Sequence, residues 1–99
     1  MTKKKLAPMH PGEVLREEFL VPMGISAGKL ADICGVPRTR IERVASEQTG
    51  ITADTAIRLG RALGTSANLW LNLQNEFDIR TAQNASAREF DKIERINAA

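Results

Sequence analysis

Apolar residues recur at helical spacing along most of this chain, and they divide it into short amphipathic helices. The first helix is predicted over residues 13–21, with Val14, Leu15 and Phe19 on its apolar side, and Pro22 is expected to end it. No alternation of apolar and polar residues is long enough to predict a strand. The pattern therefore predicts an all-α protein of five or six helices.

Residues 25–46, ISAGKLADICGVPRTRIERVAS, predict two short helices that meet at a tight turn. Ser26 can cap the first helix by accepting from a backbone N–H, and Gly35 can adopt the left-handed conformation at the corner. Pro37 suits the first position of the second helix, where its missing N–H is no loss. The residues expected to be buried are Leu30, Ala31, Ile33, Cys34, Ile41, Val44 and Ala45.

The outward face of the second helix would carry arginines near its start, which is typical of a DNA-binding helix-turn-helix. We expect Arg38, Thr39 and Arg43 to face base edges, because the opening turns of a recognition helix enter the major groove. Arginine can bind guanine through two hydrogen bonds, and threonine offers a hydroxyl or a methyl group. An ordinary helical hairpin with a solvated basic face is the alternative. The spacing of small, glycine and apolar residues favours DNA binding.

Other polar residues of this segment are candidates for phosphate contacts. Arg40 lies further round the second helix, and Lys29 and the helix N-terminus capped by Ser26 lie on the first. Glu42 could accept from cytosine or pair with Arg38 across one turn, and we favour the pair.

The second half of the chain predicts two more helices after a loop at residues 47–51. Thr52 would cap the first of them and Gly64 would end it, and Ser66 would cap the next. The core-facing residues expected in these helices are Ala53, Ala56, Ile57, Gly60, Leu63, Leu69, Trp70, Leu73 and Phe77.

The two ends of the chain differ in character from residues 10–81, which we interpret as the DNA-binding domain. Residues 1–9 predict a flexible basic arm, which could also add phosphate contacts. Residues 82–99 predict a helical tail, because Ser86 and Glu89 have the spacing of a capping box. Phe90, Ile93 and Ile96 follow on one side of that tail. We expect this seam to dock on the domain or on a second subunit, with fraying as the alternative.

Composition is compatible with a single small cytoplasmic domain. The net charge is +2, and its excess lies in residues 1–50, which hold 8 Lys and Arg against 6 Asp and Glu. That excess is compatible with phosphate binding but too small to indicate it alone. One cysteine, Cys34, excludes an internal disulfide, and no apolar run predicts a membrane span or a signal peptide.

Catalytic chemistry has little support in these residues. His10 is the only histidine, and we interpret it as a local turn or packing residue. Glu17 and Glu18 are adjacent and therefore point in different directions on a helix. We expect no enzyme activity, no cofactor or metal, and no small-molecule substrate.

Three stretches together resemble a known family: HPGEVLREEFLVPMGIS, GVPRTRIERV and GITADTAIRLGRALGTSANLWLNLQNEFDIRTA. They are similar to the HigA-type addiction-module antitoxins of the Xre/Cro helix-turn-helix group, over residues 10–81. The resemblance implies a lambda-repressor-like fold and a dimer that represses its own operon by binding operator DNA. It also implies a complex with a HigB-type toxin, an endoribonuclease that cuts mRNA on the ribosome, whose activity the antitoxin blocks.

The same resemblance identifies the recognition helix with Arg38, Thr39, Arg40 and Arg43. The chain departs from the family at residues 46–49, SEQT, where a basic or glycine-containing loop is common, and the tail after Thr81 matches less well. A stand-alone regulator of the same fold, without a toxin partner, is the alternative function.

Overall fold

A computed structural model describes residues 8–97, and over that range the chain forms five helices and no strand. Helix α1 is continuous through Pro11–Val14, a π-helical stretch at Leu15–Leu20, and Val21–Met23. The other four are α2 at Ala27–Cys34, α3 at Arg38–Ala45, α4 at Ala53–Leu63 and α5 at Ala67–Asp91. The all-α prediction is confirmed. Most of the expected basic arm lies outside the described residues.

Helix α1 begins at a cap made by His10. Its Nδ1 accepts from the backbone N–H of Gly12 at 2.9 Å, and its ring meets Phe77 edge to face with centroids 4.8 Å apart. This confirms the interpretation of His10 as a turn and packing residue. The expectation that Pro22 ends the helix is wrong. A π-helical stretch ends at Leu20, two residues before Pro22, and its wider turns accommodate the proline, so α1 continues to Met23 and is capped by Gly24 with φ +65°.

The helices pack around a core whose centre is Trp70 of α5, which is fully buried. Its indole N–H donates to Thr65 Oγ1 at 2.8 Å, and the ring of Phe19 lies 5.4 Å away. The pairing of the indole N–H matters because an unpaired buried donor would be costly. The other large, fully buried side chains are Pro11, Leu15, Leu30, Ile41, Val44 and Leu59.

Four predicted core residues are wrong. Ala53 at the start of α4 and Leu69 in the first turn of α5 are exposed. Ile33 in α2 is 56% exposed and Ile57 in α4 is 49% exposed. Both helices are short, and each buries a narrow face that these positions miss. The buried residues are Leu30, Ala31 and Cys34 in α2, and Thr55, Ala56, Leu59 and Gly60 in α4.

The predicted helix boundaries are largely confirmed. Ser26, Thr52 and Ser66 each accept from the N–H three residues on. Gly35 and Gly64 end their helices in the left-handed conformation, with φ of +70° and +74°. Pro37, however, is the N-cap of α3 rather than its first helical residue. Its backbone is extended, with ψ 144°.

Helix α5 extends well beyond the core. Every residue from 78 to 85 is exposed, so this part of α5 projects away from the other helices. The molecule is correspondingly elongated and measures 53 × 35 × 21 Å. Ser86 has non-helical dihedral angles, so α5 kinks there into two helical segments, and the second begins where the tail helix was expected. The tail helix ends at Asp91. Ile93 and Ile96 lie beyond it and are 73% and 90% exposed, so a helical seam through Ile96 is wrong.

Candidate nucleic-acid interface

Helix α3 is fixed to the core by one face and presents the other to solvent. Ile41 and Val44 are each 1% exposed, and Ala45 is also buried. This spacing leaves the opposite side of the helix free. The exposed residues of α3 are Arg38, Thr39, Arg40, Glu42 and Arg43.

The turn between α2 and α3 sets how α3 projects. The N–H of Val36 donates to the carbonyl of Ala31 at 3.1 Å, and the N–H of Gly35 donates to that of Asp32 at 3.2 Å. These bonds satisfy carbonyls at the end of α2 while Gly35 turns the chain. Ala31 itself is fully buried, because the two helices pack closely. The segment is therefore a helix-turn-helix with α3 outermost.

Arg38 reaches back across the first helix of the motif. A Cβ added at Gly28 would stand 3.2 Å from Arg38 Nε, so the arginine side chain lies directly over Gly28. The start of α2, with Ser26 and Lys29, is therefore beside the start of α3. Ser26 Oγ accepts from the N–H of Lys29 at 3.0 Å, and both residues are exposed.

A shallow open hollow lies on the other side of α3. It is lined by Pro37, Thr39, Arg40, Arg43, Gln48 and Thr49. The last two come from the loop after α3, which is held in place by α5, since Gln74 Oε1 accepts from the N–H of Ile51 at 2.7 Å. A side chain at Gly50 would collide with Gln74. The loop thus extends the polar surface of α3.

Arg40 is paired within the molecule. Its Nη1 donates to Asp54 Oδ2 at 2.5 Å, and the same oxygen accepts from Arg58 Nε at 2.9 Å. Arg58 Nη1 also donates to the carbonyl of Cys34 at 2.8 Å. The hydrogen bonds from Arg58 and then Arg40 hold the pKa of Asp54 below its ordinary value. This network links the end of α2, α3 and the first turn of α4.

The C-terminal end of α3 is held by α1. Arg16 Nη1 donates to the carbonyl of Ala45 at 2.5 Å, and its Nη2 donates to Glu47 at 3.2 Å. Gly12 packs so tightly that an added Cβ would stand 1.8 Å from the carbonyl oxygen of Val44. Glu47 itself has φ +66°, in the loop position where a glycine would have been unstrained.

The structure brings the sequence-predicted residues to one side of the molecule in two groups. Thr39, Arg40 and Arg43 line the hollow, while Arg38 lies against the start of α2 beside Lys29 and Ser26. The expected pair of Arg38 with Glu42 is wrong, because no ion pair joins them among the described residues.

Sequence reasoning missed the residues that hold this surface in place. These residues are Asp54, Arg58, Arg16 and Gln74. Apart from the Asp54–Arg58 pair, their hydrogen bonds join groups that are 14 to 31 residues apart in the chain. That pair has the i, i+4 spacing of a helix-surface ion pair and was visible in the sequence.

Comparison with known proteins agrees with this geometry. A family model described as "Helix-turn-helix" matches residues 15–70. Antitoxin HigA-1 of Vibrio cholerae is 38% identical over 89 residues, which cover 90% of this chain and 84% of that protein. The chain belongs to the HigA-type antitoxin family of helix-turn-helix proteins.

Other members of the HigA family and its neighbours extend the match. Virulence-associated protein I of Dichelobacter nodosus is 49% identical over 81 residues, 82% of this chain and 75% of that protein. The solved structure of the Pseudomonas aeruginosa antitoxin HigA with the higBA promoter has a TM-score of 0.86 and 44% identity, covering 91% of this chain and 99% of that one. The resemblance read from the HPGE opening and the later stretches is confirmed.

The HigA-type fold of this chain has no helix, among residues 8–97, that is long and apolar enough to cross a bilayer. Over the same residues no group of three or more His, Cys, Asp or Glu is placed to hold a metal ion. Cys34 is buried beside the carbonyl of Arg58, and burial raises the pKa of its thiol.

Proposed function

We propose that this chain binds operator double-stranded DNA as a homodimer and represses its own operon. The observation that carries the proposal is the exposure of Arg38, Thr39 and Arg43 on a helix fixed by Ile41 and Val44. The P. aeruginosa relative was solved with the higBA promoter, which supports the same role here. A repressor acts where the operator is, so the site of action is the cytoplasm.

In this mechanism α3 enters the major groove with its first turns. Arg38 and Arg43 supply the bidentate donors that recognise guanine O6 and N7, and Thr39 contacts a thymine methyl or a base acceptor. Lys29 and the start of α2, capped by Ser26, approach the phosphates and set the register. Their position beside Arg38 is what lets both kinds of contact form together.

Pairing of two subunits is part of the proposal. A single small module buries too little surface for tight operator binding. Two-fold dimers place their recognition helices about 34 Å apart, one turn of the duplex, on the same side of the DNA. The role is that of a binding protein without catalytic chemistry.

Titration of operator and random DNA at several salt concentrations tests the DNA contacts. Arg43→Ala is expected to weaken operator binding roughly 5- to 150-fold, about 1–3 kcal/mol, with little loss on random DNA. Lys29→Ala is the matched comparison. It should weaken both alike and lower the salt dependence by about 0.9 in log–log slope. Equal losses of Arg43→Ala on both DNAs would contradict the assignment to base edges.

We also propose that the chain neutralises a HigB-type mRNA-cleaving toxin, in keeping with its family. Co-expression with the product of the neighbouring gene is the test, read as growth rescue and co-purification. Arg43→Ala is expected to rescue growth as well as the wild type, since DNA contact is not needed for toxin binding. Failure of both proteins to rescue growth would leave the alternative, a stand-alone regulator.

A further inference from the structure

Arg40 differs from its neighbours on α3 in having an acidic partner. Among the described residues, it is the one arginine of α3 that forms an ion pair, with Asp54 Oδ2 at 2.5 Å. Arg38 and Arg43 are exposed and form no such pair. The carboxylate of Asp54 is thus paired with the guanidinium of Arg40, the residue that the sequence analysis predicted to contact a DNA phosphate.

Asp54 is itself held firmly where it can do this. Arg58 Nε donates to the same oxygen at 2.9 Å, and the carbonyl of Cys34 accepts from Arg58 Nη1 at 2.8 Å. Asp54 also lies in the first turn of α4, where the helix dipole favours a negative charge. The carboxylate of Asp54 is therefore held in place by α4 and, through Arg58, by the end of α2, independently of Arg40.

A carboxylate and a phosphate diester oxygen offer the same kind of acceptor to a guanidinium group. All three side chains of the network are 41–56% exposed, so a phosphate brought up to α3 meets Arg40 and Asp54 together. To pair with Arg40, the phosphate must displace an anchored carboxylate and accept its nearby negative charge. Random DNA is bound through its phosphates alone, whereas on operator DNA base contacts fix the position of α3 and leave Arg40 less freedom to reach a phosphate, so this cost falls mainly on random DNA.

From this arrangement we infer that Asp54 withholds Arg40 from DNA phosphates and so suppresses binding to random sequence. The inference rests on the proposed DNA binding. Base contacts by Arg38 and Arg43 do not depend on Arg40, so operator DNA retains its advantage while the sequence-independent attraction is reduced. Asp54 is thereby a residue that determines specificity without touching a base.

The test measures binding of wild type and Asp54→Asn to operator and to random duplex across a salt series. Asp54→Asn is expected to tighten random-DNA binding about three- to tenfold near 0.1 M salt and to steepen the log–log salt slope by about 0.9, the effect of one added phosphate contact. Operator binding should tighten by less, because α3 is then already constrained by base contacts. The operator-to-random ratio should fall.

Two further variants separate this role from simpler ones. In an Arg40→Ala background, Asp54→Asn is expected to leave the salt slope unchanged, because no guanidinium is released. Glu76→Gln removes an equal charge from the Glu76–Arg80 pair on α5 and should not alter the slope. Circular dichroism and thermal unfolding confirm that each variant is folded.

Three results would overturn the inference: an unchanged slope in Asp54→Asn, the same gain in the Arg40→Ala background, or an equal gain in Glu76→Gln. Weaker binding by a folded Asp54→Asn protein would overturn it too, since Asp54 would then position Arg40 for DNA. Wild-type protein that shows no preference for its operator would instead refute the proposed function.

Discussion

At the scale of single residues, the most demanding contact lies between the first helix and the recognition helix. Gly12 leaves no room for a side chain, since a Cβ would stand 1.8 Å from the carbonyl oxygen of Val44. Gly28, by contrast, faces only the flexible side chain of Arg38. A side chain is therefore excluded at Gly12 by rigid backbone, whereas at Gly28 it would meet only a movable side chain.

Gly12→Ala is expected to lower the free energy of unfolding by about 1–3 kcal/mol, because α1 and α3 must separate to admit the methyl group. Gly28→Ala is the matched variant. Arg38 can move aside and alanine is the better helix former, so the change should lie between neutral and a gain of about 1 kcal/mol. Urea unfolding measures both. Equal stability of the two variants would show that the close approach at Gly12 is not rigid.

At the scale of elements, α3 is held at both ends by side chains from other helices. Arg16 of α1 bonds the carbonyl of Ala45 at one end, and Asp54 of α4 bonds Arg40 near the other. Carbonyls in the last turn of a helix have no partner within it, so a cationic donor there is favourable. The recognition helix is eight residues long and depends on such contacts for a fixed direction.

Arg16→Ala is expected to destabilise the protein by about 1–2 kcal/mol, through the lost bond to Ala45 and the lost packing of the side chain. Arg80→Ala removes an exposed pair with Glu76 within one helix, which contributes no more than about 0.5 kcal/mol. Chemical unfolding of the two variants gives the comparison. A loss in Arg16→Ala no larger than in Arg80→Ala would mean that the cap contributes little.

The network of Asp54 predicts a pH dependence of stability. Its pKa is lowered in the folded protein by Arg58 and Arg40. A lowered pKa stabilises the fold above the ordinary value of about 4, and this contribution is lost as pH falls through the lowered value. The stability difference between wild type and Asp54→Asn should therefore be present at pH 6 and should shrink as pH approaches 3. Urea unfolding across pH 3–7 measures it, and a constant difference would contradict the assignment.

At the scale of the whole molecule, the long α5 makes the protein extended. The radius of gyration is 16.8 Å, against about 13 Å for a compact chain of this length. Over residues 78–97 no residue is buried, whereas Trp70 near the other end of the helix is at the centre of the core. One helix thus belongs both to the core and to a projecting arm.

Ending the chain after Thr81 is expected to leave the melting temperature within about 3 °C of the full chain, because residues 82–97, the described part of the deleted segment, contribute no buried residue. The measurement is thermal unfolding at two protein concentrations. A large loss that depends on concentration would instead show that the arm joins two subunits whose folding is coupled.

Much of this architecture was readable along the chain. The caps at Ser26, Thr52 and Ser66 and the glycine ends act through hydrogen bonds within a few residues, so local sequence predicts them. The outward row of α3 followed from the buried spacing of Ile41 and Val44. Ile33 and Ile57 were misplaced, because in short helices the periodicity does not determine how the helix is rotated against its neighbours.

The amino-acid sequence by itself determined the helices, their ends, the membership of a family and the face that bears the arginines. Only the tertiary structure decided which arginines of α3 have an acidic partner and which do not. Arg40 meets Asp54 across 14 residues and Arg16 meets Ala45 across 29, distances at which only the packing of helices brings groups together. The sequence alone does not show which charged side chains are paired, because their partners come from distant parts of the chain. The three arginines counted on α3 therefore overstated the number without an acidic partner, since Arg40 is paired with Asp54.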